Sequence, residues 1–272
     1  MTSPVVSVAD LDREIRFTPL WSRGIQGQGI TVAILDTGVN PVADLGGSIL
    51  VDRDFTGEND PHDSALHGTN VAQLIHLVAP KATIANLKVV PRERKFEREM
   101  VREAVEFCVA QYPEYLILNL SLYFRPLGIE PCDLCTSVNA AVSRGLVAVA
   151  AVGNLGPRPG SVTCPGLAAA AISVGSSLSE PEWKWWESQS KLKMWWWRES
   201  GQEGEIDGTS YSAAYVSGGI ALLLSAFNDA TPNEVRLALK ESARRIADPA
   251  AGAGIVQFDL AFRKLAESRP LR

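Results

Sequence analysis

Residues 30–36, Ile-Thr-Val-Ala-Ile-Leu-Asp, form an almost unbroken apolar run that stops at a carboxylate. A strand with one wet face alternates apolar and polar residues. A run without that alternation has to be covered on both faces, as in a parallel sheet packed between helices. Similar runs recur at residues 82–90, 115–121 and 146–152, with shorter ones at 49–51 and 168–174. Segments with helical spacing separate them. In residues 96–111 the apolar positions Met100, Val101, Ala104, Val105 and Cys108 share one face. Strands alternating with helices predict an α/β domain with a doubly wound, mostly parallel sheet flanked by helices. No repeat or linker interrupts the pattern, so residues 1–272 read as one domain. A 46% hydrophobic composition is ample for its core.

Three places along this frame carry chemistry. Asp36 ends the first strand and is followed by the turn Thr37-Gly38. His67 stands at the start of a helix expected over residues 66–78, which Pro80 stops. The stretch Gly208-Thr209-Ser210-Tyr211-Ser212-Ala213-Ala214 reads as a sharp entry into a buried helix, with Thr209 or Ser210 as its cap. A serine there meets free N–H groups and the positive end of the helix dipole, which favour a developing oxyanion. Alone, that stretch reads equally well as a capped core helix. An acid, a base and a nucleophile together are what acyl transfer requires.

These three segments, with residues 147–154 (Val-Ala-Val-Ala-Ala-Val-Gly-Asn), resemble the motifs of the subtilisin-like serine peptidases, including the chain order Asp, His, Ser. The resemblance implies a subtilisin-like fold and an endopeptidase working through an acyl-enzyme. Ser210 would be the nucleophile, His67 the base, Asp36 its orienter, and Asn154 an oxyanion donor. Leu120, Ser121, Leu122 and Ala151, Val152, Gly153 would bind the substrate backbone, and residues 157–165 would curl around the base of a specificity pocket. Neither cofactor nor metal is implied. Two other readings stand beside it: a binding module on a silent peptidase fold with the Trp-rich segment as its contact surface, and an esterase or peptide-cyclising enzyme using the same acyl-enzyme chemistry. Several positions depart from the family pattern. Tyr123 stands where glycine is common, Asn70 and Gln73 replace a histidine and a glycine, and Ala214 replaces a proline. The short stretch 75–82 lacks the calcium-binding insertion found in many relatives.

Other features bound the role. A formal net charge of −5 gives nucleic-acid binding no electrostatic support. No apolar stretch is long enough to span a membrane. The first ten residues lack a basic segment followed by an apolar core, so no secretory signal is expected, and the 35 residues before Asp36 resemble the start of a mature catalytic domain, so no propeptide is expected. With four cysteines, this favours a reducing, cytoplasmic setting. Cys132 and Cys135 form a CxxC that suits redox chemistry or half a zinc site. Cys108 and Cys164 lie far away in sequence, so reduced structural thiols are expected. His62 and the loop acids Asp44, Asp52, Asp54 and Asp63 are expected to be solvated, and His76 to be packed or partly exposed.

Six of the seven tryptophans fall between residues 183 and 197. That segment reads as an insertion over about 180–205, folded as a hairpin turning at residues 188–190. It would either pack on its own domain or offer Trp183, Trp185, Trp186, Trp195, Trp196 and Trp197 to a regulatory protein partner.

Overall fold

The computed structural model describes residues 8–93, 95–113, 117–125, 132–155, 160–176, 194–197, 203–206, 208–246 and 252–269. A six-stranded parallel sheet lies at the centre, in the order β2-β3-β1-β4-β5-β6. Its strands are β1 (Thr31–Asp36), β2 (Ile49–Asp54), β3 (Thr83–Lys88), β4 (Ile117–Leu120), β5 (Val147–Ala151) and β6 (Ile172–Val174). The helices are α1 (Val8–Ile15), the short α2 (Thr18–Trp21), α3 (His67–Val78), α4 (Arg98–Ala110), α5 (Asp133–Ser143), α6 (Thr209–Ala226), α7 (Pro232–Ser242) and α8 (Phe258–Ser268). This is the doubly wound arrangement that the unbroken apolar runs predict.

The reason is visible in β1. Val32 and Ile34 belong to the core on one face of the sheet, with residues of α3, α6, α7 and α8. Ala33 and Leu35 belong to the core on the other face, with residues of α4 and α5. Each of these four side chains is fully buried. A strand that feeds two cores has no wet face on which a polar residue would be stable, hence the missing alternation.

Boundaries move where capping decides them. The Thr231-Pro232-Asn233-Glu234 stretch forms a complete capping box at the start of α7. The sequence pattern predicts a helix running on to about Ala247, but α7 ends at Ser242. The sequence pattern predicts a helix over 136–144; α5 begins earlier, at Asp133, because Cys132 caps it, its sulfur accepting the Cys135 N–H. The last sheet strand is only Ile172–Val174, because residues 165–171 form turns.

In the Trp-rich segment, β7 (Met194–Trp197) pairs antiparallel with β8 (Glu203–Ile206), Trp196 opposite Gly204. The hairpin therefore joins 194–197 to the residues that follow it. The turn expected at 188–190, and Trp183, Trp185 and Trp186, lie outside the described residues. Among the described residues, no helix is long and apolar enough to cross a membrane.

Candidate active site

Chain order places the site. From β1 the chain runs out to β2 and back to β3 on one side, then crosses to β4 on the other. Ligand crevices in such sheets open beyond the carboxyl ends of the strands, where the winding reverses. Asp36 is the last residue of the central strand and is 2% exposed. Ser121 follows the end of β4, and Asn154 lies three residues past the end of β5. All three emerge on the same edge.

His67 reaches that edge from the first turn of α3. Its Nδ1 lies 2.6 Å from Asp36 Oδ1, which also accepts the Thr37 N–H at 2.7 Å. Burial pulls the His67 pKa down, but the Asp36 carboxylate, helped by Asp63 further away, more than offsets it. The ring titrates above the ordinary histidine value of 6.5. Leu66, just before the helix, has φ +62°, an uncommon conformation for a branched residue. Gly68 lets the helix start press against the β1 exit: a Cβ there would lie 2.1 Å from the Gly38 carbonyl oxygen.

Asp63 holds this turn together, against the expectation that it is solvated. It is 7% exposed. Its Oδ1 accepts Thr37 Oγ1–H and the Ala65 and Leu66 N–H groups, and its Oδ2 accepts both donors of Thr69. One carboxylate thereby ties the turn after β1 to the start of α3. Asp52 and Asp54 lie in strand β2 rather than in a loop. Asp54 caps the turn that follows, accepting from Thr56 and Asp60. Lys88, fully buried at the end of β3, pairs with Glu58 at 3.1 Å and donates to the Asp60 carbonyl, pinning the same loop from below. His62 is exposed and contacts only Asp60 among the described side chains, and Asp44 is also exposed, as expected. His76 is partly buried on α3.

Ser210 is the second residue of α6. Its hydroxyl donates to the Ser121 carbonyl at 3.0 Å, and Ser121 Oγ donates back to the Ser210 carbonyl at 2.8 Å. Asn119 Nδ2 donates to Ser121 Oγ, while Asn119 Oδ1 accepts from Ser217 Oγ. A buried polar chain thus fastens α6 to β4. The Tyr211 ring lies 5.5 Å from the His67 ring, which sets the α6 N-terminus beside the imidazole.

The cap of α6 differs from expectation. Gly208 is the N-cap and makes no side-chain bond. Asn154 does the capping from another strand: its Oδ1 accepts the Thr209 N–H at 3.0 Å and Thr209 Oγ1–H at 3.2 Å. Two donors on one side assign the amide orientation, leaving Nδ2 as donor over Gly208. A Cβ on Gly208 would lie 2.7 Å from that nitrogen, and its φ of +116° also favours glycine.

The expected substrate-binding segments differ in what they offer. The Val152 N–H and carbonyl are engaged by Val174 and Thr163, and the Gly153 N–H donates to Thr209 Oγ1. Ala151 is paired within the sheet. On the other arm, Leu120 ends β4, and Phe124 pairs in both directions with Cys164. Leu122 is buried, and Tyr123 is 40% exposed. Of the expected pocket rim, residues 157–159 lie outside the described residues.

Distance in sequence misleads for the cysteines. Cys164 lies against the CxxC, its Sγ 2.8 Å from that of Cys132 and 3.3 Å from that of Cys135. All four cysteines are free and buried.

The family model described as "Subtilase family" matches residues 27–257. The chain belongs to the subtilase family. Among its relatives, "Serine protease AprX" of Bacillus subtilis (strain 168) is 30% identical over 173 residues, covering 56% of this chain and 39% of AprX. The chain therefore matches less than half of that relative's length. The "Major intracellular serine protease" of the same organism is 27% identical over 238 residues, 78% of this chain and 73% of the relative. Among solved structures, the MycP3 protease of the type VII (ESX-3) secretion system superposes with a TM-score of 0.75 at 23% identity, covering 96% of this chain and 89% of that one. This likeness supports the subtilisin-like fold of this subtilase.

Sequence reasoning singled out Asp36, His67, Asn154 and Ser210 and offered Thr209 as a cap, but gave no bracing role to Asn119, Asp63, Lys88 or Tyr211. Asp63 and Lys88 had no local signal, because their partners lie on other elements. Asn119 carried one: a lone amide in a strand otherwise buried on both faces needs internal partners.

Proposed function

We propose that this chain is a serine endopeptidase that cuts peptide bonds through an acyl-enzyme. The observation that carries the reading is the 2.6 Å contact between His67 and Asp36, with the α6 N-terminus set beside that imidazole. In this scheme Asp36 holds His67 with Nδ1–H toward its carboxylate, leaving Nε2 as the base. The Ser210 hydroxyl turns from the Ser121 carbonyl toward His67, gives up its proton, and attacks the substrate carbonyl. Asn154 Nδ2 and the Ser210 N–H, which has no acceptor within the helix, stabilise the oxyanion. His67 then returns the proton to the leaving amine, and water repeats the sequence on the acyl-enzyme.

An extended peptide would add as a strand along residues 121–123. Val152 and Gly153, whose amides are already engaged, would form a wall of the cleft rather than its pairing edge. A cytoplasmic setting belongs to the same proposal. It is supported by the four free thiols and by similarity to a protease named as intracellular.

The test is labelling with a fluorophosphonate. The parent protein is expected to take one label on Ser210 and to release products from a peptide library. Ser210→Ala is expected to do neither while keeping its circular dichroism spectrum. Label on another residue, or unchanged cleavage by Ser210→Ala, would remove the nucleophile assignment. Labelling without cleavage of any peptide would favour the esterase reading.

A further inference from the structure

Cys132, Cys135 and Cys164 converge in the layer beneath the cleft. Their sulfurs all lie within 4.8 Å of one another, and all three residues are buried. A disulfide needs two sulfurs. Here a third closes the triangle, and Cys164 touches both members of the CxxC.

We propose that these three cysteines form a thiolate site for one thiophilic closed-shell metal ion, Zn(II) or Cu(I). The donor set is all sulfur, which selects soft ions over magnesium, calcium or manganese. The size also fits. Three sulfurs about 2.3 Å from a central ion lie roughly 3.8–4.0 Å apart, so the Cys132–Cys164 contact needs to open by about 1 Å and the Cys135–Cys164 contact by about 0.6 Å.

Burial raises the Cys132 pKa, and the contact with Cys135, with burial, raises that of Cys164; an ion must overcome this, and two surrounding features act in its favour. The Cys135 N–H donates to Cys132 Sγ at the first turn of α5, where the helix dipole also favours an anion. Arg98 lies close enough to interact electrostatically with Cys164. Its guanidinium stacks over Phe124, the residue paired with Cys164, at 5.1 Å from the ring centroid. A cation there offsets the charge that three thiolates leave in excess of the ion's own. Binding displaces the thiol protons to solvent and involves no oxidation.

The placement gives the ion work to do. Cys132 and Cys135 belong to the start of α5. Cys164 belongs to the segment that hydrogen-bonds to Phe124 on one side, while its neighbour Thr163 bonds to Val152 on the other. An ion joining these pieces would brace both walls of the cleft from behind. That consequence rests on the peptidase reading; the site itself does not.

The experiment uses the full chain, purified anaerobically with a phosphine reductant. Zn(II) is titrated against a chromophoric chelator in one arm, and Cu(I) against bicinchoninate in the other. One equivalent of one ion is expected to bind, with an X-ray absorption shell dominated by three sulfurs and a raised melting temperature. Cys164→Ser and Cys135→Ser are each expected to weaken binding by more than the ~10–100-fold that losing an outer-shell partner costs. Cys108→Ala, outside the triangle, is expected to bind like the parent. The proposal is overturned if the parent retains neither ion, if its shell lacks sulfur, or if binding survives in Cys164→Ser. It is equally overturned if the purified protein runs two mass units light, with a Cys132–Cys164 disulfide and no ion bound. Absorption spectroscopy on the parent protein decides the matter even if the serine variants fail to fold.

Discussion

Ser121 and Ser210 exchange two hydrogen bonds, Oγ to carbonyl in each direction, at 2.8 and 3.0 Å. Ser210 is therefore held through its own backbone, and its hydroxyl has an acceptor to leave when a substrate enters. Removing Ser121 Oγ takes the acceptor from the buried Asn119 amide and one partner from the Ser210 carbonyl. Ser121→Ala is expected to lose about 1–3 kcal/mol of stability, the cost of a buried polar group left without its partner. Its kcat should fall by at least about tenfold, the equivalent of 1.36 kcal/mol of lost positioning. Urea unfolding and single-turnover kinetics measure the two separately. A stable variant with full kcat would show that the exchange has no part in placing the nucleophile.

The His67–Asp36 contact sets a pH dependence. His67 is raised above 6.5 chiefly because the Asp36 carboxylate outweighs the burial that lowers it. The base works only when neutral, so kcat/KM is expected to rise with pH through an apparent pKa above 6.5 in the free enzyme. Stability runs the other way. The protonated ring is favoured in the folded state, so its stabilising contribution is full below the unfolded pKa and is lost as pH rises through the higher folded value. Asp36→Asn should lower the His67 pKa, which NMR titration in a Ser210→Ala background reads directly. An unmoved titration would exclude Asp36 as the cause.

In the proposed scheme Asn154 has two tasks, and they separate. Its Oδ1 caps α6 through Thr209, while its Nδ2 remains available to an oxyanion. Asn154→Ala is expected to reduce kcat by ~10²–10³ with little change in KM, and to lose about 0.5–2 kcal/mol as a helix cap. Asn154→Asp keeps an acceptor for Thr209 but loses the donor. It should regain part of the stability and none of the rate. Recovery of rate in Asn154→Asp would contradict the donor role.

Asp63 is a different kind of target, since it supports the site without touching the reacting atoms. Asp63→Ala leaves the Ala65, Leu66 and Thr69 N–H groups without their acceptor. Of the three, Thr69 is the buried one, so at about 1–3 kcal/mol for a buried donor left unpaired the loss should be at least about 1 kcal/mol. Asp63→Asn keeps one acceptor oxygen and should lose less. Chemical denaturation ranks the pair, and equal stability of Asp63→Ala and the parent would refute the bracing role.

Much of this molecule was legible from local pattern. The unbroken runs at residues 30–36 and 146–152 required a sheet covered on both faces, because apolar side chains pointing both ways leave no face for water. The ends of those runs, with the glycine before Thr209, pointed to the edge where Asp36, His67, Asn154 and Ser210 emerge. Such signals are readable because each is a short-range rule: periodicity, a turn, a helix start.

Tertiary structure decided what depends on meetings between distant segments. Cys164 joins a CxxC some thirty positions earlier because the pairing of Cys164 with Phe124 brings its segment against the start of α5. Asp63, which looks like any loop acid in the sequence, is buried because Thr37 and Thr69 converge on it from two elements. The cap of α6 comes from Asn154, fifty-five positions away, instead of from Thr209 or Ser210. Hydrogen-bond partners and burial are properties of the folded neighbourhood, and no short-range rule carries them.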